Sequence, residues 1–340
     1  MKKIRWCIIG AGGIADRRAI PALLEDNRNE IVAVMDRVPE IAKAVAEKYG
    51  FSNYFSDEEE MLKSVSCDAV YIATPVFCHK KQALLCLQYG AHVFIEKPIS
   101  MNEEEGREVV EAFKAAGKQI TIGYMMGYHN LHQTAAKIIK DGGIGDVNLI
   151  RMQFSCWYPK IEGAWRQNKA LSGGGCIMDL AVHCMELFGC LFDDEIEKVS
   201  AYFATKTFSY EVEDAAVLTF KSSKGILGHI DVNFNVPDAA AASRVEILGT
   251  AGSLVAEGTL GQEEKGTLKH IFSPQGNYEA QQTRVTAEAK EYIGGETNIY
   301  LKQFDAFVKI LNSGTCDYSN ADRALKVQSL CDRIYQNNQF

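Results

Sequence analysis

The sequence predicts an α/β chain: an N-terminal doubly wound parallel sheet, then an α+β region with an open-faced, mostly antiparallel sheet. Three observations carry that expectation. The first third alternates short apolar runs with amphipathic stretches, the pattern of parallel strands joined by helical crossovers. After about Gly123 the segments become longer and alternate in polarity, as in a sheet with one covered face. Between the first apolar run and the first helix stands Gly10-Ala11-Gly12-Gly13-Ile14-Ala15, a turn of G-x-G-x-x-A form.

The first strand, Ile4–Ile9, feeds that turn. Gly10 lets the chain leave the strand tightly, Gly12 lets a pyrophosphate approach the backbone, and Ala15 is small enough for helix and strand to pack. The first helical N–H groups, at Gly13 and Ile14 onward, then point at phosphates from the positive end of the helix. A second strand, 30–35, ends at Asp36, 21 residues after Ala15, where a carboxylate can accept hydrogen bonds from a ribose. That carboxylate would repel a 2′-phosphate, so NAD is the expected cofactor. Arg37 beside it could receive that phosphate, which keeps NADP as the alternative. A glycine-rich turn that only packs is the competing explanation of the motif.

Further strands are expected at 53–55, 69–72, 92–95 and 119–122. Pro39 opens the helix that ends at Tyr49, and Ser56-x-x-Glu59 and Ser100-x-x-Glu103 read as capping boxes. Gly50, Gly90 and Gly117 follow helix ends, where a left-handed residue favours glycine. The ligand of such a sheet should lie at the carboxyl ends of its strands. Beyond Gly123, strands are expected at 147–156, 198–205, 214–220, 226–234, 244–248 and 253–256. Helices are expected at 131–140, 176–188, 297–312 and 320–336, and loops with short hairpins over 258–295. This divides the chain into a dinucleotide domain, 1–122, and a substrate-binding and oligomerisation domain, 123–340, whose C-terminal helix can pack back on the first.

Composition narrows the function. An apolar share of 47% in 340 residues supplies a sizeable core. A net charge of −8 without a basic run argues against a nucleic-acid partner. No stretch approaches the ~18 apolar residues of a membrane span. The six residues after Lys3 are too short an apolar run for a signal peptide. Ten cysteines without a C-x-x-C pair read as reduced, mostly buried thiols of a cytoplasmic protein.

Three constellations carry chemistry. Glu96-Lys97-Pro98 follows the fifth strand, which places Lys97 at the carboxyl edge of the sheet. A lysine there can hydrogen-bond a substrate oxygen, although most lysines are simply solvated. Thr74 and Pro75, after the fourth strand, and Glu96 join Lys97, Arg37, Asp36 and the glycine turn as cofactor-binding candidates. In the second constellation, Gly173-Gly174-Gly175 leads into a helix with Asp179 and His183 at i, i+4 on one face. His183 can take a hydroxyl proton as hydride leaves the same carbon, and Asp179 can orient the substrate or the imidazole. An isolated histidine would more often be a core residue, and Asp179, His183 and Glu186 lack a convincing metal-ligand set, so no metal is expected. The third constellation is Trp157-Tyr158 and Trp165-Arg166, whose rings can lie on a sugar face and whose guanidinium can hold hydroxyl or carboxylate oxygens; ordinary packing accounts for the aromatics equally well.

Together these residues resemble the glucose–fructose oxidoreductase / inositol dehydrogenase family, the Gfo/Idh/MocA group. The resemblance covers nearly the whole chain and rests on Gly10–Ala15, Glu96-Lys97-Pro98, Trp165-Arg166 with the glycine triplet, and Asp179 with His183. It implies an N-terminal nicotinamide-binding (Rossmann) domain and a C-terminal open-faced sheet used in oligomer contacts. It also implies that Lys97 and His183 are catalytic, that Asp179 lies at the substrate, and that substrates are sugars, cyclitols or their oxidised forms. The chain departs from the pattern at 123–129, which holds no arginine; Tyr124 or His129 would have to meet the same substrate group. Glu186 stands where an aspartate often follows the histidine.

The expected activity is therefore NAD(P)-dependent hydride transfer to or from a polyhydroxylated alcohol/carbonyl pair, by a homodimer or homotetramer. Tyr124, Trp165, Arg166, Asp179 and His183 would bind the substrate. Two other classes remain open: a hydrolase or epimerase that oxidises its substrate transiently with retained NAD, and a non-catalytic nucleotide sensor or scaffold, which has no use for Lys97 and His183.

Overall fold

The computed structural model describes residues 3–241, 243–273, 276, 278, 280, 287–295 and 297–337. It divides into two units interleaved along the chain. The first comprises Met1–Tyr124, Ala170–Gly173 and Tyr300–Ser329; the second comprises Met125–Lys169, Gly174–Ile299 and Leu330–Phe340.

In the first unit six strands alternate with helices: β1 (Ile4–Ile9), β2 (Asn29–Met35), β3 (Tyr54–Phe55), β4 (Ala69–Ile72), β5 (His92–Ile95) and β6 (Ile120–Ile122). They form one parallel sheet in the order β3-β2-β1-β4-β5-β6. Chain direction across the sheet reverses between β1 and β4, the switch point at which such sheets bind ligands. The strands are near-continuous apolar runs because both faces are covered: Cys7, Ile8, Ile9, Val70, Tyr71, Ile72, Phe94 and Ile95 have no exposed surface. One covering helix, Ile299–Ser313, comes from far along the chain. Its Phe304 and Phe307 pack on Trp6 and Phe94, with Phe94 and Phe304 centroids 4.7 Å apart and Trp6 and Phe307 5.3 Å apart. The edge strand β6 is tied to the same late segment, since Ile122 N donates to Asn320 Oδ1 at 2.6 Å.

Two helix caps differ from the sequence expectation. The caps are Asp57 and Asn102, not Ser56 and Ser100. Asp57 accepts from Glu60 N at 2.8 Å and Asn102 from Glu105 N at 2.9 Å. Each helix starts later than the serine spacing implies, and Ser100 Oγ instead donates to Asn102 O at 2.7 Å. Gly50 and Gly117 end their helices in the left-handed conformation as expected.

The second unit holds eight strands: β7 (Val147–Ser155), β8 (Ile196–Ala204), β9 (Ala215–Ser222), β10 (Leu227–Asn233), β11 (Arg244–Gly249), β12 (Gly252–Glu257), β13 (Thr267–Phe272) and β14 (Glu288–Ile293). The order is β14-β13-β12-β11-β7-β10-β9-β8, antiparallel throughout except for the β7–β10 pair. One face is covered by the apolar helix Val182–Phe192, where Phe188 meets Phe192 and Phe220 at 4.8 and 5.0 Å. The strands β13 and β14 correct the reading of 258–295 as loops with short hairpins. They are full partners of the sheet, but each face of them mixes polar and apolar residues, so no clean period-2 signal marks them. The stretch 281–286 between them lies outside the described residues. The segment Lys169–Phe192 meets the length and mean hydropathy of a membrane span, contrary to the sequence reading. Its apolar window is 83% buried, which is how a core helix comes to be apolar.

Candidate functional site

The carboxyl ends of β1, β2, β4 and β5 bring the first group of candidates to one edge of the parallel sheet. Gly10 has φ 85°, and a Cβ there would stand 2.9 Å from Ala73 C, so both conformation and crowding require glycine. Gly10 N and Ala11 N donate to Met35 O at 2.9 and 3.0 Å, which binds the turn to the end of β2. Gly13 has φ 55° with nothing within 4 Å of where its Cβ would be, so open space lies over the turn. The helix that follows opens with a wide π-helical turn, Ala15–Ala19, preceded by Ile14. Asp36 Oδ2 accepts from Gly12 N at 3.3 Å and Oδ1 from Val38 N at 3.0 Å. Arg37 is exposed. A dinucleotide fits this cradle: the glycine turn is open above Gly13, it leads into a helix start, and a carboxylate stands beside it.

Further along the edge, Thr74 Oγ1 donates to Gln82 Oε1 at 2.5 Å, and Pro75 starts the Val76–Cys78 turn. Glu96 accepts from the buried Tyr71 hydroxyl at 2.7 Å; burial, then the nearby carboxylate, pushes that phenol's pKa well up, so it stays a donor. Gly123 passes close to the same carboxylate, and a Cβ there would lie 3.0 Å from Glu96 Oε1. Lys97 follows, half-buried, with a cis peptide to Pro98. The sequence reading missed His79. Its ring nitrogens lie 2.9 Å from Pro98 O and 2.9 Å from Thr74 O, so one buried imidazole links the loops after β4 and β5. Only its seven-residue distance from Ile72 could have pointed to it.

The second unit gathers the remaining candidates around one helix. That helix also opens with a π-helical turn, Ile177–Ala181, and then runs as Val182–Phe192, not as the regular helix 176–188 that was expected. Such turns recur at functional sites because they re-aim side chains without breaking the helix. Asp179 is half-buried, and Arg166 Nε stands 3.5 Å from its Oδ1. The Arg166 guanidinium lies over the Trp165 ring at 4.4 Å. Burial raises the Tyr158 phenol, opposed by the neighbouring Arg166 charge, which places Tyr158 in the same group. His183 is 3% exposed, with Phe154 edge-on at 6.3 Å. Glu186 is also buried and accepts from Cys190 Sγ at 3.1 Å. Among the described residues no group of three or more His, Cys, Asp or Glu side chains is arranged to hold a metal.

Tyr124 is 2% exposed at the end of the first unit. His129 has no exposed surface; its Nδ1 accepts from Leu131 N at 3.1 Å and its Nε2 faces Lys265 O at 3.0 Å. Its imidazole therefore serves as a helix cap. The sequence reading also passed over the doublet Glu213-Asp214. Asp214 accepts from Lys206, Thr207 and Phe208 N–H groups at 2.7, 2.8 and 2.9 Å, and Glu213 turns the other way, toward the helix of His183. Two adjacent acids at the start of a strand were the available signal.

Comparison with known proteins identifies the family and the fold. Residues 4–124 match the oxidoreductase family with an NAD-binding Rossmann fold, GFO_IDH_MocA, and residues 132–255 match the GFO/IDH/MocA C-terminal domain. A 1,5-anhydro-D-fructose reductase of Ensifer adhaerens is 29% identical over 265 residues, 78% of this chain and 79% of that protein. A scyllo-inositol 2-dehydrogenase (NADP(+)) of Bacillus subtilis is 28% identical over 278 residues, 78% of this chain and 80% of its own. Among solved structures, an aldose-aldose oxidoreductase of Caulobacter crescentus superposes with a TM-score of 0.86 at 22% identity, over 98% of this chain and 97% of that one.

Proposed function

The chain belongs to the Gfo/Idh/MocA family of NAD-binding oxidoreductases, and from that premise we propose that it oxidises or reduces one carbon of a sugar, cyclitol or related polyhydroxylated ring. The observation that carries the substrate class is the Arg166–Asp179 pair at 3.5 Å, on Trp165 and one turn before His183. It offers donors, an acceptor and an aromatic edge together, as a ring with several hydroxyl groups requires. The relatives named for 1,5-anhydro-D-fructose and scyllo-inositol support the same class.

Gly10, Gly12, Gly13, Ile14, Ala15, Asp36, Thr74, Pro75 and Glu96 would hold the nicotinamide dinucleotide, which supplies or accepts the hydride when bound. In this reading Lys97 Nζ donates to the substrate oxygen and polarises it. The His183 imidazole takes the hydroxyl proton in oxidation and returns it in reduction. Asp179 and Arg166 fix the neighbouring hydroxyls, so that the reacting carbon is held in one orientation. NAD is preferred over NADP, a choice supported by the Asp36 carboxylate beside Gly12 N. We place the reaction in the cytoplasm, in keeping with the five buried thiols Cys7, Cys86, Cys176, Cys184 and Cys331. Self-association is supported by Tyr202, 85% exposed, directly opposite Val217, 43% exposed, on the outer face of β8 and β9.

Lys97→Ala tests the reading. Removing a group that polarises the reacting oxygen should cost about 10³-fold in kcat, while the variant still binds NADH, as read by protein fluorescence. The assay follows nicotinamide absorbance with scyllo-inositol, 1,5-anhydro-D-fructose and a panel of aldoses. Undiminished turnover in that variant would remove Lys97 from the chemistry.

A further inference from the structure

The helix that carries Asp179 and His183 is capped in an unusual way. Its N-cap residue, Cys176, makes no side-chain capping hydrogen bond. The exposed N–H groups of a helix start ordinarily find a local Ser, Thr, Asp or Asn. Here Glu213, from the segment entering β9, supplies the acceptor. Its Oε1 accepts from Gly175 N at 2.9 Å, Ile177 N at 3.0 Å and the Tyr335 hydroxyl at 2.8 Å. Its backbone carbonyl accepts from Cys176 N at 3.1 Å. Glu213 is 6% exposed, so the carboxylate meets its donors out of water, where charge-assisted hydrogen bonds are strongest.

The glycine triplet gains a reason from this clamp. A Cβ on Gly175 would overlap Glu213 O, and one on Gly174 would overlap the Tyr335 hydroxyl. Both glycines are therefore the gap through which the clamp closes. Glu213 is itself fixed on its far side, because Asp214 O accepts from Phe234 N at 2.7 Å and Asp214 N donates to Ala204 O at 3.2 Å. A local serine could satisfy the same N–H groups without burying a charge. A remote carboxylate does something a local cap cannot: it fixes the helix start relative to the β9 end of the sheet.

We infer that Glu213, held by Tyr335, is the positioning residue for the helix that presents Asp179 and His183. The inference rests on the reading of His183 as the residue that moves the hydroxyl proton. Loss of the clamp lets the helix start shift, and a shift of about 1 Å at reacting groups can cost about 10²-fold.

The test uses the full-length chain with NADH, and reads His183 in two ways. Imidazole nitrogen resonances are recorded for wild type, Glu213→Ala, Glu213→Gln and Tyr335→Phe, with His183→Asn assigning the signal. Turnover is measured with the substrate panel used for Lys97→Ala. We expect Glu213→Ala to move the His183 resonances and to lower kcat about 10²-fold with little change in KM or cofactor Kd. Glu213→Gln, which keeps an acceptor oxygen, should restore most of kcat, and Tyr335→Phe should fall between. His183 resonances and kcat unchanged in Tyr335→Phe and in folded Glu213→Ala would overturn the proposal. If His183→Asn retains full turnover, the catalytic reading fails instead; the resonances then still report whether Glu213 fixes the helix.

Discussion

The Asp36 carboxylate has both oxygens engaged before any ligand arrives, one by Gly12 N and one by Val38 N. It is therefore aimed by the backbone, and its charge faces whatever occupies the glycine turn. Replacing it should act on cofactor choice more than on stability. Asp36→Ser should lower kcat/KM for NAD about 10- to 100-fold, the value of one or two charge-assisted hydrogen bonds. It should lower kcat/KM for NADP much less, since exposed Arg37 remains; equal losses for both cofactors would show that Asp36 does not discriminate between them. At this scale the sequence was informative wherever spacing along the chain equals proximity in space, as from Gly10 to Asp36. It was silent on His79 and Glu213, most of whose partners are backbone groups. No side-chain pattern records a carbonyl at Pro98 or an N–H at Ile177.

The elements show the same division. Apolar runs placed β1, β4 and β5 to the residue, because a strand buried on both faces leaves little choice of composition. The strands β13 and β14 escaped notice because each mixes polar and apolar residues on its faces, and the edge strand β14 is exposed along most of its length. Caps were misplaced because Ser56 and Asp57 are both good N-cap residues, and only the point at which the chain enters the helix decides between them. That decision can be measured. Asp57→Ala should destabilise the chain by about 1 kcal/mol, and exposed Ser56→Ala by less than about 0.5 kcal/mol. Urea midpoints of the two variants check the order, and the reverse order would restore the serine cap. The two π-helical turns, Ala15–Ala19 and Ile177–Ala181, were not legible either, since no residue type specifies the extra member of such a turn.

For the whole molecule, acid should act through a buried histidine. His132 donates from Nδ1 to Met126 O at 2.8 Å, its Nε2 lies 2.9 Å from the Thr259 hydroxyl, and the side chain is buried. Burial holds its pKa down to about 4 from an ordinary 6.5. The folded state thus excludes a proton that the unfolded chain binds. The stabilisation is complete above pH 6.5 and is lost as the pH falls toward 4, for a total of about 3 kcal/mol. Denaturation midpoints between about pH 7 and about pH 4 should fall in wild type and fall less in His132→Gln. Equal slopes would assign the acid sensitivity to other groups.

Interleaving of the two units sets a timetable for synthesis. The first 124 residues leave the ribosome with every strand of the parallel sheet, but without Phe304 and Phe307 to cover Trp6 and Phe94. The nascent sheet carries an open apolar face while the next 175 residues are translated (from Met125 to Ile299). At about 5–20 residues per second, that wait lasts roughly ten to thirty seconds. A chain released early by a premature stop codon would keep its glycine turn and lose the cover of its core, leaving a fragment exposed to chaperones and proteases.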